Sequence, residues 1–296
     1  MQGVSKLNKR ENFWGYLFIS PQIIGLLAFV LFPVAMSFYL MFTEWDFTNS
    51  PKWIGMDNFN VIFHEENFYY ALRNTLYFVL GIVPVTTAIS LGMALLTNRA
   101  IKGLSIYKAA FFLPMVTSSV AIVLVWYWVF APDIGLLNNF LDAIGITGPN
   151  WLTEAFWARI AIIIMSTWQG MGYYYLIFLA GLKGIPEDYY EAAEIDGAGK
   201  MRQFFNITLP LLSPTTFFII VTMLIGVFNL FQESFILTAG GPAFSTYTLV
   251  MYIYDLAFRY FRMGEAAVVS VVLFVIVLIV TFIQFKLSKR WVNYID

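Results

Sequence analysis

This chain of 296 residues contains no cysteine and a single histidine, His64. Those absences exclude disulfides and any metal centre made of cysteine or clustered histidine. No carboxylates stand at metal-ligand spacing either. Charge is scarce: Asp, Glu, Lys and Arg make up 12% of the chain, about half of what a water-covered domain carries. The net charge of −1 leaves no basic footprint for nucleic acid. Repeats and low-complexity tracts are missing too. What fills the space is apolar: 60% of residues are hydrophobic and the mean hydropathy is +0.74. Such a chain cannot clothe a soluble surface, so it is read as a polytopic membrane protein, with membrane lipid as its solvent.

Six apolar runs are long enough to cross a bilayer, at about 14–40, 75–96, 109–131, 160–182, 215–238 and 266–285. Backbone polar groups in hydrocarbon must bond internally, so each run is predicted to be helical and the fold all-α. Pro21, Pro33, Pro84 and Pro114 lie within the runs and predict local kinks. The run that follows the basic start is too long for a cleaved signal, so the first span is expected to be retained.

Basic residues divide unevenly between the two sides. One side holds Lys6, Lys9, Arg10, Arg99, Lys102, Lys108, Lys183, Lys200, Arg202, Lys286, Lys289 and Arg290. The other holds only Lys52, Arg73, Arg159, Arg259 and Arg262. The richer side is expected to be cytoplasmic, which puts both termini inside, with 1–13 and 287–296 as cytoplasmic ends of one permeating domain over 14–286. On the poorer side, 43–73 and 132–159 carry Trp45, Trp53 and Trp151 and suit short interfacial helices.

The longest internal loop, 183–213, is patterned. Pro186, Glu187 and Asp188 suit a helix start, and a helix to about Ile195 is expected. Asp196-Gly197 then makes a turn, a second helix runs from about Lys200 to Thr208, and Pro210 and Pro214 close it. By its residues alone this loop is either a connector lying on headgroups or a lever shaped for another protein. Gly199-Lys200 is followed by Met201 and lacks the spacing of a phosphate-binding loop, so the chain itself is no ATPase.

The order Glu191-Ala192-Ala193, Asp196-Gly197-Ala198, then Phe204, Ile207, Leu209-Pro210 and Pro214 resembles the signature loop of permease subunits in ATP-binding-cassette importers. Trp53 to Phe59 with Asn74-Thr75, Gly135 to Asn138 with Trp151-Leu152, and Leu237 to Pro242 with Thr248-Leu249 and Tyr252 to Tyr254 resemble the carbohydrate-uptake branch, in particular subunits of the maltose-transporter F type. The resemblance implies a type I permease fold and import of a sugar, a di- or oligosaccharide. It implies two ATPase subunits, which bind the ATP and Mg, a second permease subunit and an extracytoplasmic sugar-binding protein. Glu191, Ala192, Ala193, Asp196 and Gly197 are implied to form the coupling helix that enters the ATPase.

Glu233 is the carboxylate deep in an apolar run, where ionisable groups are costly and usually functional or paired. Asn229, Gln232 and Glu233 follow i, i+3, i+4 spacing and are expected on one face of the fifth helix. Trp168, Gln169 and Tyr173 come from the fourth, with Gly170 and Gly172 thinning its wall. Amides, a carboxylate and aromatic rings are what a sugar needs; they are also what glues membrane helices together. By resemblance the substrate contacts are Gln169, Gly170, Tyr173, Met223, Gly226, Val227 and Leu230, to which Asn229 and Glu233 are added from the polar patch. An ionised Glu233 facing the path would disfavour anionic substrates. The rival reading is an ion-coupled secondary transporter, which would need more intramembrane acids or histidine than this chain has. A membrane scaffold or insertase would not need the polar patch.

Overall fold

A computed structural model describes residues 2–98 and 103–293, with backbone alone for 2–10. Arg99, Lys102 and the side chains of Lys6, Lys9 and Arg10 therefore lie outside the described residues. Helix α1 (Gln2–Leu26) passes through a π-turn, Leu27–Leu31, into α2 (Phe32–Leu40). A two-residue hairpin, β1 (Thr43–Glu44) and β2 (Lys52–Trp53), precedes α3 (Asp57–His64) and α4 (Glu66–Thr97). Then come α5 (Leu104–Val116), α6 (Ser119–Val129), α7 (Leu136–Ala143), α8 (Ala155–Lys183) and α9 (Asp188–Ile195). Helix α10 (Lys200–Gln203) widens into a π-turn, Phe204–Thr208, and ends as α11 (Leu209–Leu211). The chain finishes with α12 (Ser213–Phe228), α13 (Gln232–Leu237), α14 (Leu249–Tyr254), a π-turn at Asp255–Arg259 and α15 (Met263–Ser288).

Among the described residues four unbroken helical stretches are long and apolar enough to span a bilayer: Glu11–Leu40, α4, α8 and α15. Two bent pairs supply the remaining spans, α5 with α6 at 99° and Lys200–Leu211 with α12 at 60°. The run 109–131, expected above as one span, is therefore two helices. Pro114 sits in α5, but the break falls at Thr117 and Ser118. Thr117 Oγ1 donates to the Leu113 carbonyl at 2.9 Å and occupies the acceptor a continuing helix would use. The run 215–238 also departs from expectation. It is helical only to Phe228, and a new helix starts at Gln232. Helix α4 begins earlier than its apolar core with a polar first turn, Glu66-Asn67, and α8 begins at Ala155, ahead of Arg159.

The chain packs as two compact groups. The first comprises residues up to His64 together with Ile253–Val272. Helices alone were expected over 43–73, but the hairpin pairs Thr43 with Trp53 and Glu44 with Lys52 before α3 begins. Buried Asn58 holds it by donating to the Met41 and Thr43 carbonyls at 3.0 and 2.8 Å. The Asp46 carboxylate accepts the backbone N–H of Asn49 and of Thr48, both at 3.1 Å. These donors, Asn49 foremost, hold its pKa down at about 2.

The second group comprises Glu65–Tyr252 and the chain from Leu273. Its core is α4 against α8, a seam tied by hydroxyls: Thr86 to Thr167 at 3.1 Å, Ser90 to the Met171 carbonyl at 2.9 Å and Thr97 to Tyr175 at 3.0 Å. Small polar residues let membrane helices approach and bond, which apolar attraction alone does not achieve in lipid. Helix α5 crosses α8 at Gly172, where a Cβ would lie 1.7 Å from the Phe111 carbonyl oxygen. Between α7 and α8, Asn138 donates to the Pro132 and Pro149 carbonyls and accepts Trp151 Nε1 at 2.7 Å. Replacing Asn138→Ala leaves the buried indole N–H of Trp151 without that partner, a loss of about 1–3 kcal/mol. It should appear as a lower midpoint in a thermal-unfolding assay of the detergent-solubilised chain, and Asn138→Asp should lower it too, because a carboxylate cannot donate to the Pro132 and Pro149 carbonyls.

Candidate transport site

The fifth span turns a lipid-facing helix into a site by breaking. Helix α12 ends at Phe228, with Asn229 at its C-terminus, and α13 restarts at Gln232. Asn229 Nδ2 donates back to the Ile225 carbonyl at 2.7 Å. The Leu230 carbonyl, freed by the break, accepts Thr248 Oγ1 at 2.9 Å. Glu233 lies in the first turn of α13, where the helix dipole favours a carboxylate.

Beside the break is a cavity of about 460 Å³. Helix α8 contributes Ser166, Gln169, Gly170 and Tyr174, and α4 contributes Ile82 and Thr86. Ser119 and Met115 come from the bend between α5 and α6. Met223, Gly226, Val227, Asn229, Leu230, Phe231, Gln232 and Glu233 complete the wall. Gln169 Nε2 donates to Ser119 Oγ at 3.2 Å, so its carbonyl oxygen stays available. The buried Ser166 hydroxyl makes no hydrogen bond among the described residues. Glu233 is the one carboxylate in the lining, and no lysine or arginine joins it.

The structure brings Gln169, Gly170, Met223, Gly226, Val227, Asn229, Leu230 and Glu233 to one cavity. Tyr173 falls off this wall and its neighbour Tyr174 takes the place. The spacing 166, 170, 174 follows one helical face, so periodicity from Gly170 would have found both Ser166 and Tyr174. Trp168 points elsewhere and packs edge-on against Trp126 at 5.5 Å. Asn229, Gln232 and Glu233 do meet, but not as one helical face: the helix they were expected to share is interrupted between them. Thr86, Met115 and Ser119 were missed because nothing local distinguishes them from other residues of their spans.

The patterned loop folds as α9, a turn and α10. Ala198 N–H donates to the Ala193 carbonyl at 2.8 Å and Gly197 N–H to that of Glu194 at 3.0 Å. This paired closure of a helix end needs a left-handed residue, and Gly197 has φ +75°. The expected second helix is regular only to Gln203, then widens into the π-turn. Tyr190 and Thr208 hydroxyls at 3.0 Å, and Gln203 Nε2 on the Ala198 carbonyl at 3.2 Å, clamp the two arms. Glu191, Ala192, Asp196 and Gly197 are exposed and Ala193 half-buried, while Ile195 is 88% exposed and Met201 70%.

Residues 87–293 match the family described as binding-protein-dependent transport system inner membrane components, and this chain belongs to it: a multi-pass membrane subunit of such a transport system, not an enzyme. Its fold is that of type I importer permeases. It is 41% identical to the probable ABC transporter permease protein YesP of Bacillus subtilis (strain 168), over 98% of this chain and 95% of that one. It is 37% identical to the lactose transport system permease protein LacF of Rhizobium radiobacter, over 97% of each. Among solved structures, a chain of a bacterial ABC transporter that imports the acidic polysaccharide alginate superposes with a TM-score of 0.84. That chain is 25% identical, with 97% of this chain and 98% of that one covered.

Proposed function

We propose that this subunit carries a neutral di- or oligosaccharide into the cell. The observation behind this reading is the cavity at the break in the fifth span. Its amides, hydroxyls and single carboxylate suit sugar hydroxyls, while Tyr174, Met223 and Leu230 suit the apolar faces of the rings. Both termini are cytoplasmic, on the strength of the basic-residue bias, and residues 14–286 form the permease domain. A second permease subunit completes the path, a binding protein delivers the sugar outside, and two ATPase subunits bind ATP and Mg inside. The α9 helix with Gly197 is the lever on which the ATPase acts. The sugar is moved because the inward and outward states differ in affinity for sugar, binding protein and ATPase.

Stimulation of ATP hydrolysis in the reconstituted complex, screened over neutral and charged oligosaccharides, tests this reading. One neutral sugar should stimulate. Accumulation that followed an ion gradient and ignored ATP would overturn it.

The substrate's charge has a sharper test. An ionised Glu233 opposes a like charge within the cavity by about 1–3 kcal/mol, or about tenfold to a hundredfold. In Glu233→Gln, uptake of an acidic oligosaccharide relative to its neutral analogue should rise about tenfold. An unchanged ratio would remove Glu233 from the path.

A further inference from the structure

The fifth span breaks beside Asn229, whose side chain turns back on the Ile225 carbonyl, and something outside that sequence also braces the break. The chain from Thr238 to Thr248 does so. Thr248 Oγ1 donates to the Leu230 carbonyl at 2.9 Å, and Ser234 Oγ donates to the Thr246 carbonyl. Thr238 and Thr246 hydroxyls meet at 2.6 Å, and Thr246 Oγ1 also contacts the Gly241 carbonyl at 2.9 Å. Ser234, Thr246 and Thr248 are all buried. This strap is irregular, with left-handed backbone at Ala239, Gly240, Ala243 and Phe244, so it does not set its own position through regular structure.

Its position comes from two side chains on other helices. Arg159, in the first turns of α8, donates from Nε to the Ser245 carbonyl at 2.8 Å and from Nη2 to Asn74 Oδ1 at 3.2 Å. Asn74, buried on α4, in turn donates to the Phe244 carbonyl at 2.5 Å and the Tyr247 carbonyl at 3.0 Å. The guanidinium lies 5.2 Å from the Tyr77 ring centre. Next to Asn74, Thr75 Oγ1 accepts the Leu249 N–H at 3.0 Å. A half-buried arginine at the end of a membrane helix ordinarily sits against a carboxylate. Here carbonyls, an amide and a ring do that work, and every partner belongs to α4 or the strap. The planar fork fixes direction as well as charge, which a lysine cannot reproduce.

We propose that Arg159 is a positioning residue for transport. Through Asn74 and the Thr238–Thr248 strap, it holds the fifth span broken at Leu230 and so keeps Asn229, Gln232 and Glu233 on the cavity. This rests on the transport reading above, and the test separates the two. In proteoliposomes of the whole complex, Arg159→Ala and Thr248→Val should each raise KM for the sugar about tenfold and leave the maximal rate within about twofold. The double variant should be no worse than the worse single one, because both act through one strap. Effects that multiply, or a fall in maximal rate at unchanged KM, would overturn the proposal.

A second readout needs no sugar. The chain has no cysteine of its own, so in Gln232→Cys an aqueous maleimide added to membranes containing the complex can label this subunit at that one position, read on the separated subunit. Arg159→Ala in that background should slow labelling several-fold, and Arg159→Lys should restore it only partly. An unchanged labelling rate would overturn the proposal. If labelling responds but no sugar is taken up, the positioning role stands and the transport reading falls.

Discussion

Gly172→Ala should abolish accumulation of the folded subunit, while Gly170→Ala, two residues earlier on the same helix, should accumulate normally. Both glycines thin the wall of α8 in the sequence, but they do different things. At Gly172 a Cβ would stand 1.7 Å from the Phe111 carbonyl oxygen and 2.4 Å from its carbon. Those are backbone atoms of α5, and no rotamer change relieves the overlap. The two helices must part, and the α5–α8 contact supports Met115 and Ser119 on the cavity. Overpacking ordinarily costs about 1–3 kcal/mol, and a clash with backbone in a rigid helix pair lies at or beyond the top of that range. At Gly170 the nearest heavy atom is 3.5 Å away, on the Tyr174 ring, which is ordinary contact. The measurement is the amount of monodisperse subunit recovered from membranes. Equal recovery of both variants would show that α5 does not approach α8 as described.

Ile195→Asp should uncouple the transporter without unfolding it. Ile195 is 88% exposed at the end of α9, and no residue of α9 is buried in this chain. Burying such a side chain in a partner is worth about 1.5–3 kcal/mol, which corresponds to a loss of docking affinity of about tenfold to a hundredfold. Replacement by a carboxylate adds desolvation to that loss. ATPase subunits should then fail to co-purify and ATP-driven uptake should fall by at least about tenfold, while the thermal midpoint of the isolated subunit stays within its error. Retained co-purification with normal uptake would mean that the lever of the proposed function is not this helix. The turn offers an internal comparison: Gly197→Val strains a left-handed residue and should weaken both docking and the loop itself.

The positions of the spans were legible because apolar length is written directly in the residues. The α9 helix and its glycine closure were legible for a related reason: caps and turns are local, and Asp188, Asp196 and Gly197 carry their own instructions. The two breaks were not legible. Hydropathy records whether a segment tolerates lipid, not whether its axis is straight, and both 109–131 and 215–238 average as apolar despite the polar residues at the break. At Thr117 the cause is at least local, a hydroxyl that competes for a carbonyl. At Leu230 a local cause, the Asn229 amide on the Ile225 carbonyl, is joined by Thr248, eighteen residues later, behind an irregular strap. The cavity residues taken by resemblance gathered well because helix-to-helix registry is a property of the fold. Tyr173 stands one position from the lining residue Tyr174, and a single residue turns a helix by about 100°, enough to move a ring from one wall to another.

The dependence of the break on Thr248 also gives the cavity a time of birth. When residues 213–237 have entered the membrane, Thr248 has not yet been made, and the carbonyl of Leu230 still lacks the hydroxyl that holds it. The hydroxyls that hold the interruption are made afterwards, together with the stretch that Asn74 and Arg159 later grip. A chain halted before Thr248 would possess five of its spans and all the residues that line the cavity, without the hydroxyl that braces the break. A late segment of the chain thus braces a wall built from earlier ones.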